Sequence, residues 1–369
     1  MRLRRSLAPN IIRVLVIAAA WTVVNLLSYT DSYLLIGDLI ALGKLSGSYA
    51  FWPDFAGNLV IGVVGGLAGG ALLVFKVNAG YKHRTFLSGI VRSALVFVLV
   101  YLCGSAALLF MLGFVYNALR SSPMTALGSA WDNVLLNLYT PSFLATMIIW
   151  GMMTSGTQFM LQVNDKFGPG VLWKLLTGKY HHPREEERIF MFLDLRSSTS
   201  IAERIGHRRF FELLSELYQD ITSPIIESRG EIYQYVGDEV VITWTVPRGT
   251  DGDNCVRCFF RIGDAIAERR DHYLERYAVE PRFKAGLHLG EATVGEIGVI
   301  KKDIVYSGDV LNATARIQEE CNRRQVSFLA SSTLLAKLPM SGPYRVVPVG
   351  EILLRGRSEA MALSEIRRS

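Results

Sequence analysis

Residues 188–201 read R-I-F-M-F-L-D-L-R-S-S-T-S-I. An apolar run ends here in a single carboxylate, Asp194, and small hydroxyl residues follow it. Ser200 and Glu203 have the spacing of a capping box, which predicts that a helix begins there. We therefore expect a buried strand, a turn with free backbone N–H groups and a helix N-terminus. Such a place can bind a cation through its carboxylate and a phosphate through its N–H groups, or it can be an ordinary strand-to-helix turn.

The composition divides the chain of 369 residues into two unlike parts. Residues 1–165 are strongly apolar, whereas the remainder has the mixed charge of a soluble domain. We predict a transmembrane domain over residues 1–165, a linker over 166–187 and a soluble domain over 188–369. The net charge of +6 is modest. Arginines at membrane ends account for part of it, so no nucleic-acid partner is expected.

Four apolar runs, at residues 11–29, 58–77, 86–116 and 141–163, are each long enough to cross a hydrocarbon core of about 30 Å. Basic residues precede the first run, separate the second from the third, and follow the fourth. The positive-inside rule therefore predicts a multi-pass protein of the inner (plasma) membrane, with both termini and the soluble domain in the cytoplasm. Gly62, Gly66 and Gly70 form a small-residue helix face, which indicates packing inside one bundle or a seam between two copies.

A second acid follows the first strand in the soluble part. Residues 231–236 and 239–245 read as short strands, and Gly237-Asp238 reads as the hairpin turn between them. Asp238 is an ordinary turn residue if the hairpin stands alone. If its strands neighbour the Asp194 strand in one sheet, the two carboxylates meet and can bridge two Mg²⁺ ions.

The rest of the soluble part predicts an α+β sandwich with helices on a mainly antiparallel sheet. Asn312 and Arg316 share one helix face, which suits a ribose or phosphate ligand, or a solvated surface pair. Cys255 and Cys258 form an isolated C-x-x-C that favours core thiols over zinc. The other predicted elements are helices at 207–229, 253–277 and 332–338, and strands at 283–289, 291–296 (separated by Gly290), 304–306, 345–349, 352–355 and 361–366.

Three ordered segments carry a family resemblance: F-M-F-L-D-L-R-S-S-T-S-I-A-E, Y-V-G-D-E and S-G-D-V-L-N-A-T-A-R. Together they resemble the class III adenylyl/guanylyl cyclase catalytic domain of bacterial membrane-bound members. The resemblance implies a ferredoxin-like domain that works as a head-to-tail homodimer with two composite sites. It also implies that ATP is converted to 3′,5′-cyclic AMP and pyrophosphate, for intracellular signalling at the lipid bilayer.

The resemblance assigns roles to particular residues. Asp194, Asp238 and the backbone at Leu195 would bind two Mg²⁺ or Mn²⁺ ions. From the other protomer, Asn312 would orient the ribose and Arg316 would stabilise the transition state. The residues expected to bind the phosphates are Ser197, Ser198, Thr199 and Arg355, the last of which stands where the family has a lysine.

The base-binding positions depart from the adenylyl pattern. Gln234 stands where many adenylyl cyclases have a purine-reading lysine, and Val305 stands where they have an acid or threonine. Gln234 can still hydrogen-bond adenine, whereas Val305 has no group to do so. The alternatives to an adenylate cyclase are therefore a guanylate or promiscuous cyclase, and an inactive cyclase-like membrane sensor.

Overall fold

The computed structural model describes residues 2–44, 51–77, 86–118, 123–168, 177–300, 302–353 and 360–369. The chain divides into two compact units, Met1–Leu172 and Trp173–Ser369. Each unit is described by itself. The predicted combination of an apolar helical unit and an α+β domain is confirmed.

The N-terminal unit consists of long apolar helices. Three of them are long and apolar enough to span a membrane, and Leu127–Leu138 with Phe143–Lys166 makes a fourth if this bent pair is one span. The structure therefore agrees with the predicted set of about four spans. The helices are α1 (Arg2–Ala41), α2 (Phe51–Ala71, continued by a π-helical stretch Leu72–Val77), α3 (Phe86–Ala118), α4 (Pro123–Leu138) and α5 (Pro141–Phe167).

The glycine face of α2 packs against α1. A Cβ on Gly66 would lie 2.7 Å from the Cα of Ala18, and one on Gly62 would lie 3.0 Å from the Cα of Thr22. The two backbones can approach this closely only because these positions lack side chains. Of the two interpretations of this face, packing inside one bundle is the one that the structure supports.

The C-terminal unit alternates strands and helices. Its helices are α6 (Ser198–Ile205), α7 (His207–Glu227), α8 (Val246–Thr250), α9 (Asn254–Ala267), α10 (Arg270–Tyr277), α11 (Asp309–Arg323) and α12 (Ser332–Leu335). Its strands are β1 (Arg184–Leu195), β2 (Glu231–Val236), β3 (Glu239–Thr245), β4 (Phe283–Ile297), β5 (Asp303–Ser307), β6 (Phe328–Ser331), β7 (Tyr344–Leu353) and β8 (Ala360–Arg368).

Among the described residues the strands form one sheet in the order β2-β3-β1-β4-β6-β8-β7, with β5 paired to β4. All neighbours are antiparallel except β4 and β6. Strand β1 is central and buried on both faces, because alternate side chains of a strand point to opposite sides. Ile189, Met191 and Leu193 pack under the helices, while Phe190 and Phe192 pack in a second cluster with Tyr306 and Val310.

Several element predictions were wrong. Strand β4 runs unbroken through Gly290, where a Cβ would lie 3.0 Å from the side chain of Val310. This glycine therefore permits close packing of α11 on the strand and does not mark a turn. The helix predicted over 253–277 is two helices, the strands predicted over 345–355 are one strand as far as Leu353, and β6 was not predicted.

Candidate active site

The two predicted acids meet at one edge of the sheet. Strand β1 delivers Asp194 to its end, where it pairs with Glu239 on β3 and with Lys284 on β4. Asp238 lies in the turn immediately before β3, close enough to Asp194 for its carboxylate to affect the ionisation of that residue. Burial, together with the nearby Asp238 carboxylate, raises the pKa of Asp194. The sheet order thus produces the juxtaposition that the sequence predicted.

Two buried partners hold Asp194, and neither was predicted. The Nζ of Lys284 lies 2.8 Å from Asp194 Oδ2, and Nε2 of Gln318 donates to the same oxygen at 2.8 Å. The side chains of Lys284 and Gln318 are almost fully enclosed, since these residues are 7% and 6% exposed. The ammonium group offsets part of the negative charge that burial would otherwise make costly.

Glu239 adds a third acid to this edge. Burial and the neighbouring Asp194 and Asp238 raise its pKa to about 7. No group of three or more His, Cys, Asp or Glu side chains within the described ranges is arranged to bind a metal ion by itself. Asp194 and Asp238 nevertheless offer two close oxygen donors. Mg²⁺ commonly binds through one or two carboxylates together with waters and substrate phosphates, so this donor set fits such an ion.

The hairpin that carries Asp238 is supported from α7. The hydroxyl of Tyr218 donates to the carbonyl oxygen of Gly237 at 2.7 Å, and its ring lies 4.5 Å from that of Tyr235. Gly237 has a φ of 62°, a left-handed conformation that glycine adopts without strain. This contact was not predicted, because nothing in a helical period identifies the loop that a side chain reaches.

The turn after β1 differs from its prediction. Helix α6 begins at Ser198, two residues before the predicted start, and Ser200–Glu203 is not its capping box. Ser197 occupies the N-cap position with a φ of 58°, and its side chain makes no capping hydrogen bond. The first N–H groups of α6, including those of Ser198 and Thr199, consequently lack a side-chain cap from the N-cap residue. Such groups are suitable donors to an anion.

Asn312 and Arg316 lie on a different face of α11 from the residue that contacts Asp194. At about 100° per residue, Arg316 lies about 160° and Asn312 about 120° around the helix from Gln318. Asn312 is exposed, and the Arg316 side chain is 37% exposed. The guanidinium of Arg316 pairs with Glu319 of the same helix, with Nη1 at 2.8 and 2.9 Å from the two carboxylate oxygens. The Asn–Arg pair and the acid pair therefore have different orientations within one protomer.

The chain neighbours of the two predicted base-binding residues contact each other. Tyr233 and Tyr306 contact edge to face with ring centroids 5.0 Å apart, and the backbone N–H of Tyr306 donates to the Tyr233 hydroxyl at 3.2 Å. Gln234 and Val305 adjoin these tyrosines in the chain. Arg355, the predicted phosphate-binding residue, lies outside the described residues.

The cysteine interpretation agrees with the structure. Cys255 and Cys258 are both buried, and burial raises the pKa of Cys255 to about 12. A thiol must lose its proton to bind zinc, so these residues are packing groups of the core.

Comparison with known proteins identifies the domain. A family model for the adenylate and guanylate cyclase catalytic domain matches residues 181–364. Adenylate cyclase 2 of Rhizobium meliloti (strain 1021) is 38% identical over 218 residues, which are 59% of this chain and 60% of that protein. Adenylate cyclase 1 of the same organism is 29% identical over 190 residues, 49% of this chain and 27% of that protein.

A solved structure shares the fold. A bacterial light-regulated adenylyl cyclase is similar with a TM-score of 0.52 at 19% identity, over 62% of this chain and 67% of that one. The motifs, the sheet order and these matches together define a nucleotidyl cyclase catalytic domain. The chain belongs, through its C-terminal half, to the class III adenylyl/guanylyl cyclase family, as the motif resemblance predicted.

Proposed function

We propose that this chain is a membrane-bound adenylate cyclase that converts ATP to 3′,5′-cyclic AMP and pyrophosphate as a homodimer, for intracellular signalling. The observation that carries the proposal is the division of the site within one protomer. Asp194 and Asp238 form one half, and Asn312 with Arg316 forms another that faces elsewhere on α11. Two copies in head-to-tail arrangement bring unlike halves together twice, which gives two composite sites.

Asp194, Asp238 and the Leu195 carbonyl would hold two Mg²⁺ or Mn²⁺ ions in each site. When bound, such ions lower the pKa of an attacking hydroxyl and neutralise charge on phosphates. The N–H groups at Ser197, Ser198 and Thr199, with Arg355, bind the triphosphate in this proposal. The Asp194 oxygen that faces Lys284 and Gln318 is kept in a fixed orientation by both contacts.

The partner protomer supplies the other wall. Asn312 orients the ribose so that its 3′-oxygen attacks the α-phosphorus as pyrophosphate leaves. Negative charge grows on the α-phosphoryl oxygens during this displacement, and Arg316 meets it with its guanidinium. Arg316 must exchange its intrahelical partner Glu319 for the substrate, a change that an exposed pair permits at little cost.

ATP is the proposed substrate because both curated relatives are named adenylate cyclases. The chain spans about 60% of the first and 27% of the second, so this transfer is a proposal. Gln234 and Val305 favour testing GTP beside ATP, since Val305 can form no hydrogen bond with a base. The apolar helices and the charge pattern support a location in the inner membrane, with the catalytic domain in the cytoplasm.

Complementation between two inactive variants tests the proposal. Full-length Asp194→Ala and Arg316→Ala subunits with different affinity tags are co-expressed, purified through both tags, and assayed with ATP or GTP and Mn²⁺. Each homodimer should be inactive, whereas the heterodimer should recover up to half of the wild-type activity through its single intact site. A purified heterodimer without cyclic product would contradict a shared site. Production of cyclic GMP in preference to cyclic AMP would identify a guanylate cyclase.

A further inference from the structure

A buried arginine lies at the centre of the domain, away from the acid pair. Arg188 is on β1, is 1% exposed, and contacts side chains from three other strands. Its Nη1 donates to the Tyr306 hydroxyl on β5 at 2.7 Å, and its Nε donates to Thr243 Oγ1 on β3 at 3.1 Å. Its Nη2 donates to Glu231 on β2 at 3.3 Å. One side chain thus connects β1, β2, β3 and β5.

Two neighbouring carboxylates balance the positive charge of Arg188. Glu186 lies 3.0 Å from Nη1 and Glu231 lies 3.3 Å from Nη2. The guanidinium carbon also lies 4.9 Å from the centre of the Tyr306 ring, so the ring face contributes a cation–π contact. A buried arginine with carboxylate, hydroxyl and ring partners has few alternative positions, and its partners are fixed in turn.

Tyr306 connects Arg188 to Tyr233 on β2, the strand that also carries Gln234. Its backbone N–H donates to the hydroxyl of Tyr233, and its ring packs edge to face on Tyr233. Tyr233 lies at a register shift in β2, between Ile232 and Gln234. The bulge leaves Gln234 paired with Val241, so the position of Tyr233 determines where Gln234 is presented.

Neighbouring side chains of a strand point to opposite faces of the sheet, so a buried tyrosine can affect the position of the exposed residue beside it. Tyr306 points into the cluster with Phe190 and Val310, so its neighbour Val305 points to the other side of β5. Strand β5 ends at Ser307, and α11 with Asn312 and Arg316 begins at Asp309. A shift of Tyr306 therefore moves both Val305 and the start of α11.

We propose that Arg188, Tyr306 and Tyr233 form a positioning hub that sets the geometry of the base- and ribose-binding half of the site. The hub touches no substrate. It fixes Gln234, Val305 and the start of α11 relative to one another, and it acts in the protomer that donates Asn312 and Arg316. The inference rests on the proposed function, because only a composite site separates this half from the acid half of the same chain.

The test uses the Asp194→Ala/Arg316→Ala heterodimer of full-length chains. Its one intact site takes the acid pair from the Arg316→Ala subunit and the Asn–Arg pair from the Asp194→Ala subunit. Tyr306→Phe, which removes only the hydroxyl, is added to one subunit or the other. Added to the Asp194→Ala subunit, it should raise the KM for ATP about threefold to tenfold. This range corresponds to part of the free energy that a hydrogen bond to a charged group contributes. Added to the Arg316→Ala subunit, it should leave KM within twofold.

Two further variants test whether the effect of Tyr306→Phe is specific to the hub. Tyr233→Phe should show the same dependence on the subunit that carries it, with a changed ratio of ATP to GTP turnover. Tyr277→Phe is the matched control, since it removes the hydroxyl of another buried tyrosine, which donates to Glu216 at 3.1 Å on a helix outside the hub. It should have no effect in either subunit.

The outcomes separate the inference from the proposed function. Equal effects of Tyr306→Phe in both subunits, or no effect in either, would overturn the hub while the composite site stands. A parent heterodimer that recovers no activity would overturn the composite site, and the hub with it.

Discussion

The two halves of the proposed site differ in how far one protomer completes them. The acid half, defined as Asp194, Asp238, Glu239, Lys284 and Gln318, is partly to fully buried and internally paired. The Asn–Arg half, defined as Gln234, Val305, Asn312 and Arg316, is partly to fully exposed, and Arg316 is paired with its own helix. The charges within one protomer therefore determine the properties of the acid half, whereas those of the Asn–Arg half depend on the ligand or the subunit that it faces.

The largest expected effect is in the Asn–Arg half. Arg316→Ala should lower kcat about 10³-fold, because the side chain meets charge that develops only in the transition state. KM and Mn²⁺ affinity should change little, since the acid half is untouched. Arg316→Lys should restore only part of the rate, because lysine lacks the planar fork of donors. A kcat within tenfold of wild type for Arg316→Ala would remove the residue from the reaction.

An intermediate effect is expected in the acid half from Lys284→Met. Burial raises the pKa of Asp194, and the Lys284 ammonium opposes this rise. Its loss should raise that pKa further, so protons compete with the metal up to a higher pH. Mn²⁺ affinity, measured by electron paramagnetic resonance, should fall about tenfold near pH 6, the usual order of magnitude for the loss of a partner of a metal ligand, and less near pH 8.

The control for this experiment is Lys337→Met, which removes a lysine paired with Glu187 at 2.6 Å on the surface. It should leave Mn²⁺ affinity unchanged. Far-UV circular dichroism establishes that the Lys284→Met protein is folded. Stronger Mn²⁺ binding at both pH values would contradict the prediction and identify the ammonium group as a competitor of the metal.

The smallest expected effect concerns stability without metal. The pKa of Glu239 is about 7 in the folded protein against an ordinary 4.5, so folding favours its protonated form. That contribution is complete below pH 4.5 and is lost as the pH rises through about 7. Glu239→Gln should therefore raise Tm near pH 8 by about 2–4 °C, corresponding to ~1 kcal/mol after allowance for partial exposure.

Near pH 5 the same substitution should change Tm little, because Glu239 is then already protonated in the folded state. The measurement is thermal unfolding of the full chain in detergent with a chelator, followed by intrinsic fluorescence. Equal shifts at both pH values would show that the effect of Glu239→Gln arises from packing and not from charge.

The sequence predicted the acid pair because two local patterns converge on it. An apolar run that ends in Asp194 and a Gly-Asp hairpin are each readable within a few residues, and the sheet order then brings them together. Lys284 and Gln318 were not predictable in this way. Gln318 is 124 positions from Asp194, and its neighbours in sequence give only a helical period.

Glycine and serine residues also led to wrong predictions of where elements begin and end. Gly290 was interpreted as a break, yet it accommodates Val310 against an unbroken strand. Ser200 and Glu203 have the spacing of a capping box, but the left-handed Ser197 starts the helix earlier. In both cases the residue type permits two structures, and a tertiary contact or a backbone angle decides between them.

Strand β1 has a consequence for communication between active centres. It carries Asp194 at its end and Arg188 six residues earlier, a separation of about 20 Å at the rise of an extended chain. In the proposed dimer these residues belong to different active centres. Asp194 binds metal in one centre, and the hub around Arg188 positions the base- and ribose-binding residues of the other. A stiff central strand then joins the two centres within each subunit. In the proposed dimer we therefore expect occupancy of one centre to change the affinity of the other, and a cooperative dependence of rate on ATP concentration would be the measurable result.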